Sequence, residues 1–147
     1  MISITTKEYL RQTFKLDAQI NSLIREVETM EARATKVTTL LNPDKVEKPT
    51  GVNIKSQEDL VVKMIDYKNL INKKIDELVD LKTSILSTIG KIENVDQRTV
   101  LMLRYINLKY FEQIAVEMNY SYRNTLYIHG AALKSFEKLC TPLHILT

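Results

Sequence analysis

Up to Ile92, apolar residues recur at steps of three and four, and one proline-bearing stretch breaks the pattern. Leu16, Ile20, Leu23, Val27, Met30, Ala34, Val37 and Leu41 form the first run, with Lys, Arg, Glu, Asp, Gln and Thr between them. That a/d spacing holds one apolar seam on one face of a helix and leaves the other faces solvated. A strand, whose side chains alternate with a period of two, cannot carry it. The helix is expected to begin near Thr6, because Thr5 and Glu8 stand in the T-x-x-E arrangement in which hydroxyl and carboxylate each satisfy a free backbone N–H.

The run stops at Asn42-Pro43, since proline lacks the N–H that a helix interior needs and restricts the residue before it. Residues 42–56 (NPDKVEKPTGVNIKS) read as an exposed connection. Ser56 with Asp59 offers a second cap, after which Leu60, Met64, Tyr67, Ile71, Ile75, Leu78, Leu81, Ile85, Ile89 and Ile92 resume the helical steps. With 3 glycines and 3 prolines the chain has few residues for the turns of an all-β fold. The expectation is an all-α protein in which residues 1–93 form a long antiparallel, coiled-coil-like hairpin that serves oligomerisation or partner binding. Two such helices can bury their stripes against each other or against a second copy. The first seam is longer than a small C-terminal module can cover. Leu16, Ile20, Leu23, Val27, Met30, Val37 and Leu41 are therefore the candidate oligomerisation residues of an expected dimer.

After Gly90 the units shorten. Asn94 and Gln97 suit a helix start, and the helix runs through Val100, Leu101, Leu103, Arg104 and Tyr105. A second segment, Tyr110 to Met118, has Phe111, Ile114, Ala115 and Met118 on one face, with Ala115 small enough for a close crossing. Asn119 tolerates a left-handed backbone and Ser121 is a strong N-cap for a last helix from Tyr122 to about Leu139. Thr125, Ile128, Ala132, Leu133 and Phe136 fall on the inner face of that helix. Tyr122, Arg123, Asn124, Leu126, Tyr127 and Lys134 are left outward or at its leading end. Helix, short turn and longer helix make a helix-turn-helix in residues 94–147. A guanidinium at Arg123 and an amide at Asn124 have the geometry to read guanine and adenine edges in a major groove.

The formal charge of +3 permits contact with nucleic acid without announcing it. Cys140 has no partner for an intrachain disulfide and reads as a small apolar residue near a helix end. His129 and His144 have no Cys, Asp or Glu at zinc-ligand spacing, so no metal or other cofactor is expected, and His129 reads as an exposed imidazole. The glycine-rich phosphate loop, the G-x-S-x-G elbow and the H-E-x-x-H pair do not occur, and a non-enzymatic protein is expected. An apolar stretch of roughly 20 residues and a signal pattern are also missing, which makes a cytoplasmic location the expectation. Gly130 within the last helix fits either a close helix crossing or simple tolerance of a poor helix former, and Arg104 either a phosphate contact or, as the preferred reading, a structural pairing with an acidic residue inside the module.

The order D-x-x-x-V-L-x-L-R-Y (residues 96–105), Y-F-E-Q-I-A-V-E-M-N-Y-S (110–121) and A-L-x-x-F (132–136) resembles region 4 of bacterial sigma factors. With T-K-E-Y-L-R-Q at residues 6–12 and the long helical N-terminal part, the wider chain is similar to phage and prophage proteins of Gram-positive bacteria, of the ArpU type of late-gene activator. The resemblance implies a phage-type transcription regulator in a host bacterial cell. It would bind double-stranded promoter DNA through Tyr122, Arg123, Asn124 and Tyr127, with Lys109, Tyr110 and Lys134 near phosphates and RNA polymerase as a further partner. Relatives of both kinds place more Arg or Lys on the outer face of the last helix, where this chain has Leu126, Tyr127 and Ala131. A small terminase-like DNA recognition subunit and a protein-interaction module with a degenerate helix-turn-helix are the alternative readings.

Overall fold

The computed structural model describes residues 4–40 and 54–140, and these are helical with short connections. Helix α1 spans Thr6–Leu40 and α2 spans Ile54–Ile89. Three shorter helices follow, α3 (Val95–Leu101), α4 (Phe111–Met118) and α5 (Tyr122–Cys140), and a π-helical turn over Met102–Ile106 continues α3. The all-α expectation holds, with the long antiparallel pair α1 and α2 ahead of the helix-turn-helix.

Local chemistry fixes the boundaries. At the start of α1 the Thr5 N–H donates to the Glu8 carboxylate at 3.3 Å, and the Glu8 N–H donates to the Thr5 hydroxyl at 3.2 Å, the reciprocal cap expected there. Ser56, expected to cap the second helix, instead lies inside α2, which already begins at Ile54. The rest of the expected connection, residues 42–53, lies outside the described residues, as do Leu41 and His144. At the start of α3 the Gln97 N–H donates to Asn94 Oδ1 at 3.0 Å. Asn119 ends α4 with φ 60, the left-handed conformation anticipated for it, and Ser121 Oγ accepts from the Asn124 N–H at 3.0 Å.

The described chain forms two compact units. One comprises Ala18–Asp76. There Ile20, Val27 and Met30 of α1 and Ile71 of α2 are buried, and Leu23, Ala34, Met64 and Tyr67 are half-buried. Glu31 and Lys68 link the two helices at 3.3 Å. Ile20, Val27 and Met30 of the α1 seam are thus covered inside the chain, and at 6% exposure Val27 has little area left for a second copy, whereas the side chain of Val37, like Leu41, lies outside the described residues. Leu16 is half-buried. Ile75, expected in the α2 stripe, is 39% exposed, because the buried line passes through Ile71 and Leu78.

The other unit comprises Met1–Asp17 and Glu77–Thr147. Its core joins Leu10 of α1, Ile85 and Ile89 of α2, Ile92, Leu101, Tyr105, and Ala132, Phe136 and Cys140 of α5. Each fully buried aliphatic side chain here contributes about 1.5–3 kcal/mol. The helix-turn-helix therefore draws core residues from both long helices, beyond the start expected at residue 94. Arg98 fastens α3 back to the end of α2, with Nη1 donating to the Ile92 carbonyl at 2.6 Å. Cys140 is fully buried, as a small apolar residue would be. Buried Thr13, Thr88 and Thr125 satisfy their hydroxyls on carbonyls of their own helices, at Leu10, Ser84 and Ser121.

Candidate nucleic-acid interface

The helix-turn-helix is α4, the turn Asn119-Tyr120-Ser121, and α5. Ile114 and Ala115 of α4 are buried, and the small Ala115 lets the two helices meet as the sequence suggests. On α5 the buried residues are Thr125, His129, Ala132, Phe136 and Cys140, with Ile128 and Leu133 half-buried beside them. The turn is braced from α3: the Tyr120 hydroxyl donates to Asp96 Oδ2 at 2.7 Å, and further along α5 the Ser135 hydroxyl donates to Gln97 Oε1 at 2.6 Å.

His129 is the largest departure from expectation. It is 6% exposed, lies 2.8 Å through Nε2 from the Tyr105 hydroxyl, and meets the Phe111 ring edge-on at 4.8 Å between centroids. An exposed imidazole was expected, but position 129 falls between Thr125 and Ala132 in the buried line of α5, so helical geometry carries it inward. Burial, and then the charges of Lys7 and Arg104, hold it down to a pKa of about 4, so the ring is neutral at ordinary pH. Burial pushes the Tyr105 phenol up to about 12, against the opposing charges of Arg104 and Arg11.

Arg104 has the internal role anticipated for it, though through aromatic rings rather than an acid. Its guanidinium carbon lies 4.5 Å from the centroid of Phe14 and 4.3 Å from that of Phe111, and Nη1 donates to the Lys109 carbonyl at 2.9 Å. One cation thus ties α1, the π turn and the start of α4 together. Leu108, between the π turn and α4, adopts φ 58, and the Lys109 N–H donates to the Leu103 carbonyl across that bend.

The expected DNA-contacting residues sort into three places. Tyr122, Arg123, Asn124 and Tyr127 are all exposed on the first two turns of α5, with Tyr127 at 77%. Arg123 and Asn124 side chains have no hydrogen-bond or ion-pair partner among the described residues. Tyr110, at 67% exposure, precedes α4, and its N–H is capped by Gln113 Oε1. Lys109 is paired with Glu117 of α4, so its charge is already engaged within the fold. Lys134 is exposed farther along α5, beside a cavity of about 420 Å³ that also touches Thr5, Thr6 and Lys7 at the start of α1.

Arg123, Tyr127, Ala131, Lys134 and Lys138 follow one another at steps of three and four, on the side of α5 away from Thr125, His129, Ala132 and Phe136. Lys138 was not anticipated, although it stands four residues beyond Lys134 in the sequence. Gly130 borders this ridge, and a Cβ there would meet no atom within 4 Å, so no helix crosses at it. The close crossing suggested by the sequence is absent. The outward face of α4 differs in chemistry: Val116 is 78% exposed between Glu112 and Glu117, and a cavity of about 530 Å³ opens there with Asn119, Tyr120 and Tyr122.

No helix among the described residues is long and apolar enough to cross a membrane, and no cluster of His, Cys, Asp or Glu among them could hold a metal ion. No curated protein and no solved structure matches the chain. The sequence profile of one family matches residues 35–137, which takes in all of α2 through α4 and most of α5. That span is more than half of the chain, which therefore belongs to the family described as "Protein of unknown function (DUF1492)".

Proposed function

We propose that the protein is a DNA-binding regulator of transcription that reads duplex DNA through the first turns of α5. The outward ridge of α5 carries this reading: Arg123, Tyr127, Lys134 and Lys138 share one exposed face of the second helix of a helix-turn-helix. In that motif the second helix enters the major groove by its N-terminal residues while the first crosses the backbone. Arg123 and Asn124 would contact base edges there, and Tyr122 and Tyr127 would flank them. Lys134 and Lys138 are spaced to follow a phosphate strand, each neutralised phosphate adding to affinity through counterion release. The braced elements beneath, with Arg104 between two rings and Tyr105 joined to His129, hold α5 rigidly enough for base reading.

The test is selection of bound sequences from random duplex DNA, followed by affinity measurement for single-residue variants on the recovered site. Arg123→Ala should weaken binding by about 1–3 kcal/mol, roughly 5- to 150-fold, and relax preference at one position. Lys138→Ala should weaken binding to all sequences alike and flatten the salt dependence. Recovery of no enriched sequence, or equal binding by wild type and Arg123→Ala, would reject the assignment.

A protein contact is the second reading, and the outward face of α4 favours it. Val116 between Glu112 and Glu117 repels phosphate yet offers an apolar anchor to a polypeptide. Such a contact is compatible with a regulator that touches RNA polymerase while its neighbouring helix holds DNA.

A further inference from the structure

Ile20, Val27 and Met30 of α1 are covered within the chain, but α2 carries a second stripe that is not. Val61, Ile65, Ile75, Val79 and Leu86 are exposed at 45, 52, 39, 55 and 42%. With Lys68, Asn72 and Lys82 interleaved, they follow one another by alternating steps of four and three along this one continuous helix, the a/d spacing of a coiled coil. The stripe is centred about a quarter of a turn around α2 from buried Ile71, Leu78 and Ile85, at about 100° per residue. Ile75 borders the buried line, and Val61, Ile65 and Val79, each 45% exposed or more, lie farther from it.

The pattern reads the same from both ends. Val61 and Val79 stand nine residues to either side of position 70, Ile65 and Ile75 five, Lys68 and Asn72 two. A heterologous partner has no need of such symmetry, whereas a second copy of the same helix, running antiparallel about a two-fold axis, requires it. We propose that this face of α2 pairs with the same face of a second copy of the chain, antiparallel and centred at the level of residue 70. Val61 then lies against the partner's Val79, Ile65 against the partner's Ile75, and Lys68 against the partner's Asn72. The central polar layers set the register, as polar residues at seam positions do.

Charge selects the same arrangement. In a parallel, in-register pair Lys68 would face its own copy and Lys82 its own copy, like charge on like. In the antiparallel pair Lys82 falls against the partner's Glu58, an opposite charge, and Asp76 falls at the level of the partner's uncharged Met64. Lys68 already has Glu31 as counter-charge at 3.3 Å. From Val61 to Val79 the contact is about 27 Å long at 1.5 Å per residue. With its flanking turns it reaches the low end of stable interfaces, ~600 Å² from each partner. The pairing goes beyond the DNA reading and does not depend on it.

Sedimentation equilibrium of the full chain up to about 100 μM should show a reversible dimer, and Ile65→Glu or Val79→Glu should shift it to monomer while helix content by circular dichroism is retained. A chain that stays monomeric throughout, or charged variants that stay folded and dimerise as wild type does, overturns the proposal. Register is read by mild oxidation. The double variant Val61→Cys/Val79→Cys should form a disulfide-linked dimer, and Val61→Cys alone should not, since the two copies of residue 61 lie about 27 Å apart in this register. Cross-linking by Val61→Cys alone, or none by the double variant, overturns the antiparallel register even if the other variants fold poorly.

Discussion

Lowering the pH should loosen the helix-turn-helix through His129. The folded protein holds this imidazole at a pKa of about 4 through burial and the nearby charges of Lys7 and Arg104, against about 6.5 in an unfolded chain. A depressed folded value means that the unfolded state binds the extra proton first. The stability contributed by the neutral ring is therefore fully present above about pH 6.5 and is lost as the pH falls toward 4. Between these values the slope approaches one proton, about 1.4 kcal/mol per pH unit, and the loss by pH 5 comes to about 2 kcal/mol. Urea denaturation at pH 7.5, 6.5, 5.5 and 5.0 measures this for wild type and for His129→Gln, whose amide has no proton to gain in that range. The variant should start less stable at pH 7.5, and the gap should narrow by about 2 kcal/mol at pH 5. Carboxylates common to both proteins cancel in that difference. Two stability curves that run parallel from pH 7.5 to 5 would refute the buried, neutral state of the ring.

Other substitutions probe the supports around it. Arg104→Ala removes the cation between Phe14 and Phe111 and frees the Lys109 carbonyl, and should cost about 2–3 kcal/mol in urea denaturation; Arg104→Lys, which keeps the charge but not the flat stacking surface, should recover only part of the loss. Gly130→Ala should raise stability by about 0.5–1 kcal/mol, seen as a higher melting temperature, because the added methyl enters open space on a helix. Asn119→Ala should cost about 1 kcal/mol at its left-handed position, while Asn119→Gly should be close to neutral, both read by thermal melting.

Local chemistry was written plainly in the sequence wherever a signal needs few residues. The T-x-x-E at Thr5 and Glu8, Asn94 before Gln97, and Asn119 with Ser121 all act where they were expected to act. Periodicity likewise marked α1, α2 and the exposed residues at the start of α5. It could not say which of two stripes on a long helix would be buried, because spacing within one helix does not name the partner. Spacing alone therefore does not show that Ile20, Val27 and Met30 are covered by α2, nor that Val61, Ile65 and Val79 form an exposed line beside the buried one. His129 was misplaced for a different reason. Its polar type points to solvent, whereas its position four residues after Thr125 and three before Ala132 places it in the buried line. The Phe14 ring beside Arg104 comes from an element far away in sequence, and the pairing of Lys109 with Glu117 spans a bend rather than a helical step of three or four, so no periodic pattern encodes either.

The π turn at Met102–Ile106 sets how this fold can tolerate changes of length. Asn107 donates its N–H to the Met102 carbonyl, five residues back rather than four, so the turn holds one residue more than an α-helical turn would. That extra residue sets the angular phase of the segment, bringing Arg104 between its two rings and Tyr105 onto His129. A single-residue deletion here would relax the turn to ordinary α-helix and rotate the chain beyond it by about 100°, carrying α4 and α5 out of phase with α3. Insertions and deletions among related chains should therefore collect outside this segment, and its length should be kept even where its residue types drift.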